Sequence, residues 1–177
     1  MKVLIVYSSK TGNTEKIANV IHSYDSSFDI LNLKDKEMLS ECQLDQYELM
    51  FIGGWIDKGT FNKECLDFLK TVMHQQVVFF FTLGAYPSSK HAVDCIKNIE
   101  QLLASNHNTV LNHFHCQGGV DPKLMSFMTK MAIDAGREVD EYRIKRWENA
   151  TKHPNQEDYD AVLTCVDTTI KMLRGNN

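Results

Sequence analysis

A short polar stretch near the start of the chain, SSKTGNT at residues 8–14, combines residue types that bind phosphate. Ser9, Thr11 and Thr14 carry hydroxyl groups that donate hydrogen bonds, and Gly12 permits the tight turn that such a loop needs. The stretch follows the apolar run VLIVY and precedes a segment with helical spacing, so backbone N–H groups and the helix dipole converge on it. The pattern predicts a neutral cradle for a dianionic phosphate.

Two better-known phosphate motifs are absent from the sequence, which narrows the kind of ligand. The chain contains neither the G-x-x-x-x-G-K-[ST] loop of nucleoside triphosphatases nor the G-x-G-x-x-G fingerprint of dinucleotide-binding proteins. An ordinary N-cap and turn is the alternative interpretation, since Ser, Thr and Asn are common at both. The number and spacing of the polar residues, directly after an apolar run, favour phosphate binding.

The rest of the chain alternates between apolar runs and segments with helical spacing. Runs at residues 3–7 and 77–84 are almost continuously apolar, as expected of strands that are buried on both faces. The intervening helical segments favour right-handed crossovers and a parallel sheet. We therefore predict an α/β fold with three layers, α/β/α, around a five-stranded parallel sheet. The predicted strands cover residues 3–7, 28–33, 49–53, 77–84 and 109–116.

Ligands of an open parallel sheet bind beyond the carboxyl ends of its strands, so the loops after the later strands also matter. The predicted loop GGWIDKGTF offers Trp55 as an aromatic surface and a turn at residues 57–59. The predicted loop LGAYPSSK offers Tyr86 as a second aromatic wall, and CQGGVDP brings the backbone of Gly118 to the same edge. Together these loops predict a site for a planar ligand that carries a phosphate.

The stretch SSKTGNT, at the end of the first predicted strand, resembles the [ST]-x-T-G-x-T phosphate loop of flavodoxins. This resemblance implies a flavodoxin-like fold with strand order 2-1-3-4-5 and a bound FMN. GGWIDKGT and CQGGVDP are also similar to a bacterial subgroup, the flavodoxin-like accessory proteins of bilirubin reductases. The implied contacts with the FMN phosphate are Ser9, Lys10, Thr11, Gly12, Asn13 and Thr14. The other expected FMN-binding residues are Gly54, Trp55, Ile56, Asp57, Lys58, Gly59, Leu83, Gly84, Ala85, Tyr86, Gln117 and Gly118.

The composition is that of an ordinary globular protein. Its 177 residues suit one domain, and 43% of them are hydrophobic and 24% charged. The net charge of -4 gives no general attraction to nucleic acid. No apolar run approaches the ~20 residues of a membrane span, and no secretory signal is visible. We therefore expect one cytoplasmic domain over residues 1–177, with no nucleic acid and no membrane span.

Metal and thiol chemistry have little support in the sequence. The five cysteines include no C-x-x-C pair, and an odd number in a cytosolic chain favours free thiols. His113 and His115 share one face if their segment is a strand, but no Cys or carboxylate nearby completes a metal site. Cys116 has no recognisable base beside it. We therefore expect no metal and identify no catalytic residue.

A segment beyond the last predicted strand, at about residues 122–153, is extra material for a five-stranded domain. It contains a Met-rich apolar stripe at helical spacing, made of Leu124, Met125, Phe127, Met128 and Met131. Such a stripe is typical of core packing. Alternatively, it forms an adaptable surface for a partner or for a large planar substrate.

Three functions are compatible with these residues. The favoured one is an FMN-binding electron-transfer protein that delivers electrons to a partner reductase. The alternative is an FMN-dependent reductase or oxidase that acts on a quinone, a tetrapyrrole or a similar planar substrate. A flavodoxin fold that has lost its flavin and only binds a partner is the third, and the complete phosphate loop and Trp55 argue against it.

Overall fold

The computed structural model describes residues 1–136 and 141–175, in which strands and helices alternate along the chain. The strands are β1 (Val3–Tyr7), β2 (Asp29–Asn32), β3 (Leu49–Asp57), β4 (Thr60–Phe61), β5 (Gln76–Leu83) and β6 (Thr109–Gln117). The helices are α1 (Asn13–Tyr24), α2 (Lys36–Glu41), α3 (Lys63–Leu69), α4 (Lys90–Ser105), α5 (Pro122–Asp134), α6 (Glu141–Ala150) and α7 (Gln156–Gly175).

The sheet has the order β2-β1-β3-β5-β6, and all of these neighbours pair in parallel. The short strand β4 pairs antiparallel with β3 only. When β4 is left out of the count, the order is the predicted 2-1-3-4-5. The carboxyl ends of β1, β3, β5 and β6 therefore meet at one edge of the sheet, where a ligand is expected.

The stretch GGWIDKGTF is where the structure departs most from the predicted elements. It is not a loop, because β3 continues to Asp57 and β4 pairs back against it, with Ile56 opposite Phe61. The predicted turn at residues 57–59 is present between the two strands. Lys58 (φ 51°) and Gly59 (φ 85°) adopt the left-handed conformation that short hairpin turns require. Trp55 consequently lies within a strand.

Alternate strand residues enter two separate cores, one on each face of the sheet. Ile5 and Phe51 pack with α1 and α7, whereas Val6 and Phe79 pack with α3 and α4. Successive side chains of a strand point to opposite faces, so a strand covered by helices on both faces must be apolar throughout. This explains the nearly continuous apolar runs that predicted the buried strands.

The extra segment contains α5 and α6, and much of its apolar surface is exposed. Phe127 is 60% exposed, Met131 55% and Ile133 62%, whereas Trp147 on α6 is buried. Core packing therefore does not explain Phe127 and Met131. The side chains of Leu124 and Met128 lie outside the described set. None of the described helices combines the length and the apolar character that crossing a bilayer requires.

Candidate functional site

The loop between β1 and α1 is held by hydrogen bonds within itself. Gly12 has a φ of 85°, which only glycine adopts at little cost, and its N–H donates to Ser9 Oγ at 3.1 Å. The first helical hydrogen bond runs from Lys16 N to Gly12 O at 3.0 Å. The N–H groups ahead of that bond belong to the first turn of α1, so the positive end of its dipole lies at this loop.

Asn13 joins this loop to the end of β6. Its Nδ2 donates to Thr11 Oγ1 at 3.0 Å and to the carbonyl of Gly119 at 2.9 Å. Gly118 allows the close approach, because a Cβ there would lie 3.0 Å from Asn13 Nδ2 and 3.1 Å from Thr82 Cβ. The first and last loops of the sheet edge therefore form one connected unit.

Thr14 is more buried than is expected of a residue whose hydroxyl only donates a hydrogen bond to a bound phosphate. It is 1% exposed, and its Oγ1 lies 3.0 Å from Oγ1 of Thr82, which is 4% exposed at the end of β5. One of the two hydroxyls donates to the other. Thr14 is therefore free to donate to a ligand only when Thr82 supplies the proton of their shared hydrogen bond.

The β3–β4 hairpin fixes Trp55 at the edge of the sheet. The backbone N–H of Asn62 donates to Trp55 O at 3.0 Å, and Trp55 N donates to Asn62 Oδ1 at 3.3 Å. At the tip of the hairpin, Asn98 Nδ2 on α4 donates to Gly59 O at 3.0 Å. The hairpin is thus pinned at both ends, which gives the indole ring a defined position.

A cavity of about 220 Å³ lies at this edge of the sheet. Of the predicted site residues, it is lined by Lys10, Thr11, Asn13, Trp55, Ile56, Leu83, Gly84 and Gly118. Its lining does not include the predicted residues Ser9, Gly12, Thr14, Gly54, Asp57, Lys58, Gly59, Ala85, Tyr86 and Gln117. Lining residues that the sequence did not indicate are Thr82, Gly119, Val120, Asp121, Arg146 and Trp147. Four strand ends and α6 thus enclose one space.

Tyr86 does not reach this cavity, because α6 covers it. Its ring packs edge-on against Tyr142 with centroids 5.9 Å apart. Together with Ala85, His91 and Arg146, the two tyrosines line an adjoining recess. Arg146 lines both spaces, so its side chain stands between the cavity and the loop that follows β5.

Two buried side-chain nitrogens beside the site have no hydrogen-bond partner among the described residues. Gln117 is 2% exposed, and its Nε2 has no hydrogen-bond acceptor among the described residues. The same is true of the buried Nε of Arg146. Lys10 adds a further positive charge, with its Nζ 5.6 Å from the centre of the Trp55 ring. The site therefore offers unused donors and positive charge, which suit an anionic ligand.

Cys116 and the histidines of β6 belong to the packing of the sheet. Burial raises the pKa of the Cys116 thiol, which is 1% exposed, so it stays protonated and is a poor nucleophile. The rings of His113 and His115 share one face, as predicted, and stack on Phe79 and Phe81 at 5.4 and 5.1 Å. In the part of the chain that the structure describes, no group of three potential ligands could hold a metal.

Comparison with known proteins agrees with this architecture. A family model of the flavodoxin domain matches residues 4–167. The flavodoxin-like domain-containing protein BilS of Clostridioides difficile (strain CD3) is 30% identical over 175 residues, which cover 97% of this chain and 98% of that protein. The flavodoxin of Buchnera aphidicola subsp. Acyrthosiphon pisum (strain APS) is 26% identical over 160 residues, covering 82% of this chain and 92% of that one.

Solved structures show the same fold. Oxidised Flavodoxin 1 from Bacillus cereus has a TM-score of 0.62 at 15% identity and covers 97% of this chain and 98% of its own. The chain therefore belongs to the flavodoxin-like family, as the pattern of its first loop predicted. The predicted three-layer fold is confirmed as well.

Proposed function

We propose that this chain binds FMN and passes electrons to a partner reductase. The observation that carries the proposal is the loop at residues 9–14, which opens α1 beside a cavity walled by Trp55. Hydroxyl donors at the N-terminus of a helix suit a phosphate, and an indole ring suits the flat face of an isoalloxazine. The loop residues named in the sequence analysis are the proposed contacts.

The polar groups at the sheet edge fit FMN in kind. Ser9 and Thr11 offer hydroxyls at the loop, and Gln117 Nε2 offers a buried amide donor without a partner among the described residues. When bound, FMN supplies the electron-transfer chemistry. The tasks of the chain are to hold the phosphate, to cover the ring and to restrict the access of water.

Transfer to a protein partner is supported by the exposed apolar surface beside the cavity. A groove of about 630 Å³ between α5 and α6 is lined by Met125, Ile133, Ile144 and Trp147, among others. Trp147 also lines the cavity beside Trp55, so the groove and the cavity adjoin. Exposed apolar patches of this kind are typical of interaction sites. We further propose a cytoplasmic location, which the odd number of cysteines supports.

Purification under native conditions tests FMN binding directly. We expect a yellow protein that releases FMN on denaturation and whose emptied form quenches the fluorescence of added FMN. Reduction in an anaerobic titration, followed in the visible spectrum, then reports whether electrons enter in one-electron or two-electron steps. A colourless protein that does not bind added FMN would disprove the proposal.

The enzyme alternative has one observation in its favour. The apolar groove between α5 and α6 adjoins the cavity at Trp147, and a large planar substrate suits such a space. An enzyme is expected to oxidise NADH or NADPH with a small quinone as acceptor in the absence of any other protein. A carrier is expected to do so only after a separate reductase is added, so the same assay separates the two functions.

A further inference from the structure

Arg146 on α6 lines the cavity, and one nitrogen of its guanidinium lacks a hydrogen-bond acceptor among the described residues. Its Nε is buried and has no acceptor among residues 1–136 and 141–175, and none of the ion pairs within those residues involves its guanidinium. A buried guanidinium nitrogen without an acceptor costs free energy, and an anion that enters the cavity and accepts its hydrogen bond removes that cost. The position therefore calls for a negatively charged group on a ligand.

Positive charge exceeds negative charge on the walls of the cavity. Lys10 and Arg146 both line it, and Asp121 is the one carboxylate among the described lining residues. Asp121 already accepts a hydrogen bond from the N–H of Lys123 at 2.9 Å, where it caps α5. An anionic ligand is thus favoured over a neutral one, and a ligand that gains negative charge after binding is favoured further.

The phosphate of FMN is not the group that needs Arg146. The loop at residues 9–14 has its own hydroxyl and N–H donors, and it is tied to Gly119 by Asn13. Arg146 instead also lines the recess formed by Ala85, Tyr86 and His91, which belong to the loop after β5 and to the start of α4. Its location is therefore on the side of Trp55 and Leu83, where a planar ring would lie.

We propose that Arg146 is the counter-ion for the negative charge that the isoalloxazine acquires on full reduction. This inference rests on the proposed binding of FMN and adds the electrostatic role of one residue. A fully reduced isoalloxazine would carry negative charge, and the guanidinium of Arg146 would supply positive charge beside it. Arg146 then stabilises the reduced ring more than the oxidised ring, which raises the reduction potential of the bound flavin.

The test compares Arg146→Gln with Arg146→Lys and with the matched control Lys145→Gln, which removes one positive charge from an exposed neighbour on the same helix. FMN fluorescence gives the Kd of the oxidised form, and anaerobic equilibration with an indicator dye gives the midpoint potential. The two together give the Kd of the reduced form. Circular dichroism and urea unfolding establish that each variant is folded.

Arg146→Gln is expected to weaken the binding of reduced FMN on the order of tenfold more than that of oxidised FMN, which corresponds to a fall of about 30 mV for a two-electron couple. Arg146→Lys is expected to retain most of the wild-type potential, and Lys145→Gln nearly all of it. Equal weakening of both redox forms, or no change in potential, would overturn the proposal.

Riboflavin, which lacks the phosphate, separates the two anionic groups of FMN. If Arg146 serves the ring, Arg146→Gln lowers the potential of bound riboflavin as it does that of FMN. If the substitution affects FMN and leaves riboflavin unchanged, Arg146 binds the phosphate and the proposal is wrong. A wild-type protein that binds no FMN is a different result, because it removes the proposed function itself.

Discussion

The loop at residues 9–14 and helix α6 line the same cavity but satisfy their polar groups in different ways. In the loop, Gly12 donates to Ser9, and Asn13 donates to Thr11 and to Gly119. On α6, Arg146 Nε has no acceptor among the described residues. The hydrogen bonds of the loop fix its geometry before any ligand binds. The guanidinium of Arg146 on α6, in contrast, still needs an acceptor that a ligand can supply.

The two regions also differ in how they are attached to the rest of the fold. The strand ends behind the loop carry residues of both core clusters, whereas Trp147 is buried yet is a member of neither cluster among the described residues. The loop side and the α6 side are therefore expected to differ in local stability. Substitutions in the two regions test this expectation.

The largest effects are expected from removing one aromatic ring from the core of the sheet and one from α6. Phe79→Ala empties a fully buried position between the sheet and its helices, and we expect the free energy of unfolding to fall by about 3–5 kcal/mol. Trp147→Ala is expected to cost less globally and to speed hydrogen exchange in α6 selectively. Urea unfolding and exchange by mass spectrometry measure both. Equal global losses would mean that α6 unfolds together with the sheet.

The close approach of two loops gives the next effect. A Cβ at Gly118 would lie 3.0–3.1 Å from Asn13 and Thr82, so Gly118→Ala must push these neighbours apart. We expect a loss of about 1–3 kcal/mol in unfolding free energy and a weaker affinity for FMN. Gly119→Ala is the matched control, because its nearest neighbour would be 3.6 Å away. If both variants behave alike, the contact with Asn13 is not what limits this position.

The two threonines of the loop are expected to separate stability from ligand affinity. Thr14→Ala leaves the buried hydroxyl of Thr82 without its partner, which costs about 1 kcal/mol or more in unfolding free energy, whereas Thr14→Ser preserves the pair. Thr11 is exposed, so Thr11→Ala should leave unfolding nearly unchanged while lowering FMN affinity roughly fivefold. Thr11→Ser, which keeps the hydroxyl, should bind normally. An unchanged FMN affinity in Thr11→Ala would argue against its hydroxyl as a phosphate ligand.

The smallest effect on stability is expected from the protonation of His113 on β6. Burial, and secondarily His115, lowers the pKa of His113 below its ordinary value of 6.5. The unfolded chain therefore takes up this proton at a higher pH than the folded chain, and folding stability decreases as the pH falls through about 6.5. His113→Asn should reduce the slope of unfolding free energy against pH below that value. The slope is the readout, and an unchanged slope would mean that the buried ring does not resist protonation.

Particular residues show how much of the fold could be predicted from the sequence. The near-continuous apolar runs at residues 3–7 and 77–84 identified two strands that are buried on both faces, because such a strand has few polar positions. The other three parallel strands were identified from apolar runs that include polar residues. The spacing in SSKTGNT indicated the loop that opens α1, since hydroxyls and a glycine at those positions have a local structural reason. In GGWIDKGTF the prediction of a turn at residues 57–59 was correct, but the prediction of a loop was wrong. The residues of the stretch do not by themselves indicate the backbone pairing between β3 and β4.

The position of Arg146 and Trp147 at the cavity could not be predicted from the sequence. They lie beyond the last strand on a helix whose spacing indicates a buried face but not which part of the molecule that face covers. Tyr86 was predicted to be an aromatic wall of the site, and the structure adds that its ring contacts Tyr142 on α6, which the sequence did not indicate.

The amino-acid sequence alone was enough to predict the order of the elements, the burial of the central strands on both faces and the polar loop that opens α1. Each of these follows from short-range periodicity or from the chemistry of a few adjacent residues. The tertiary structure was needed to show which distant side chains line the cavity and which polar groups there have no partner among the described residues. Those facts depend on long-range packing, which brings Lys10 and Arg146 to one space although they are far apart along the chain.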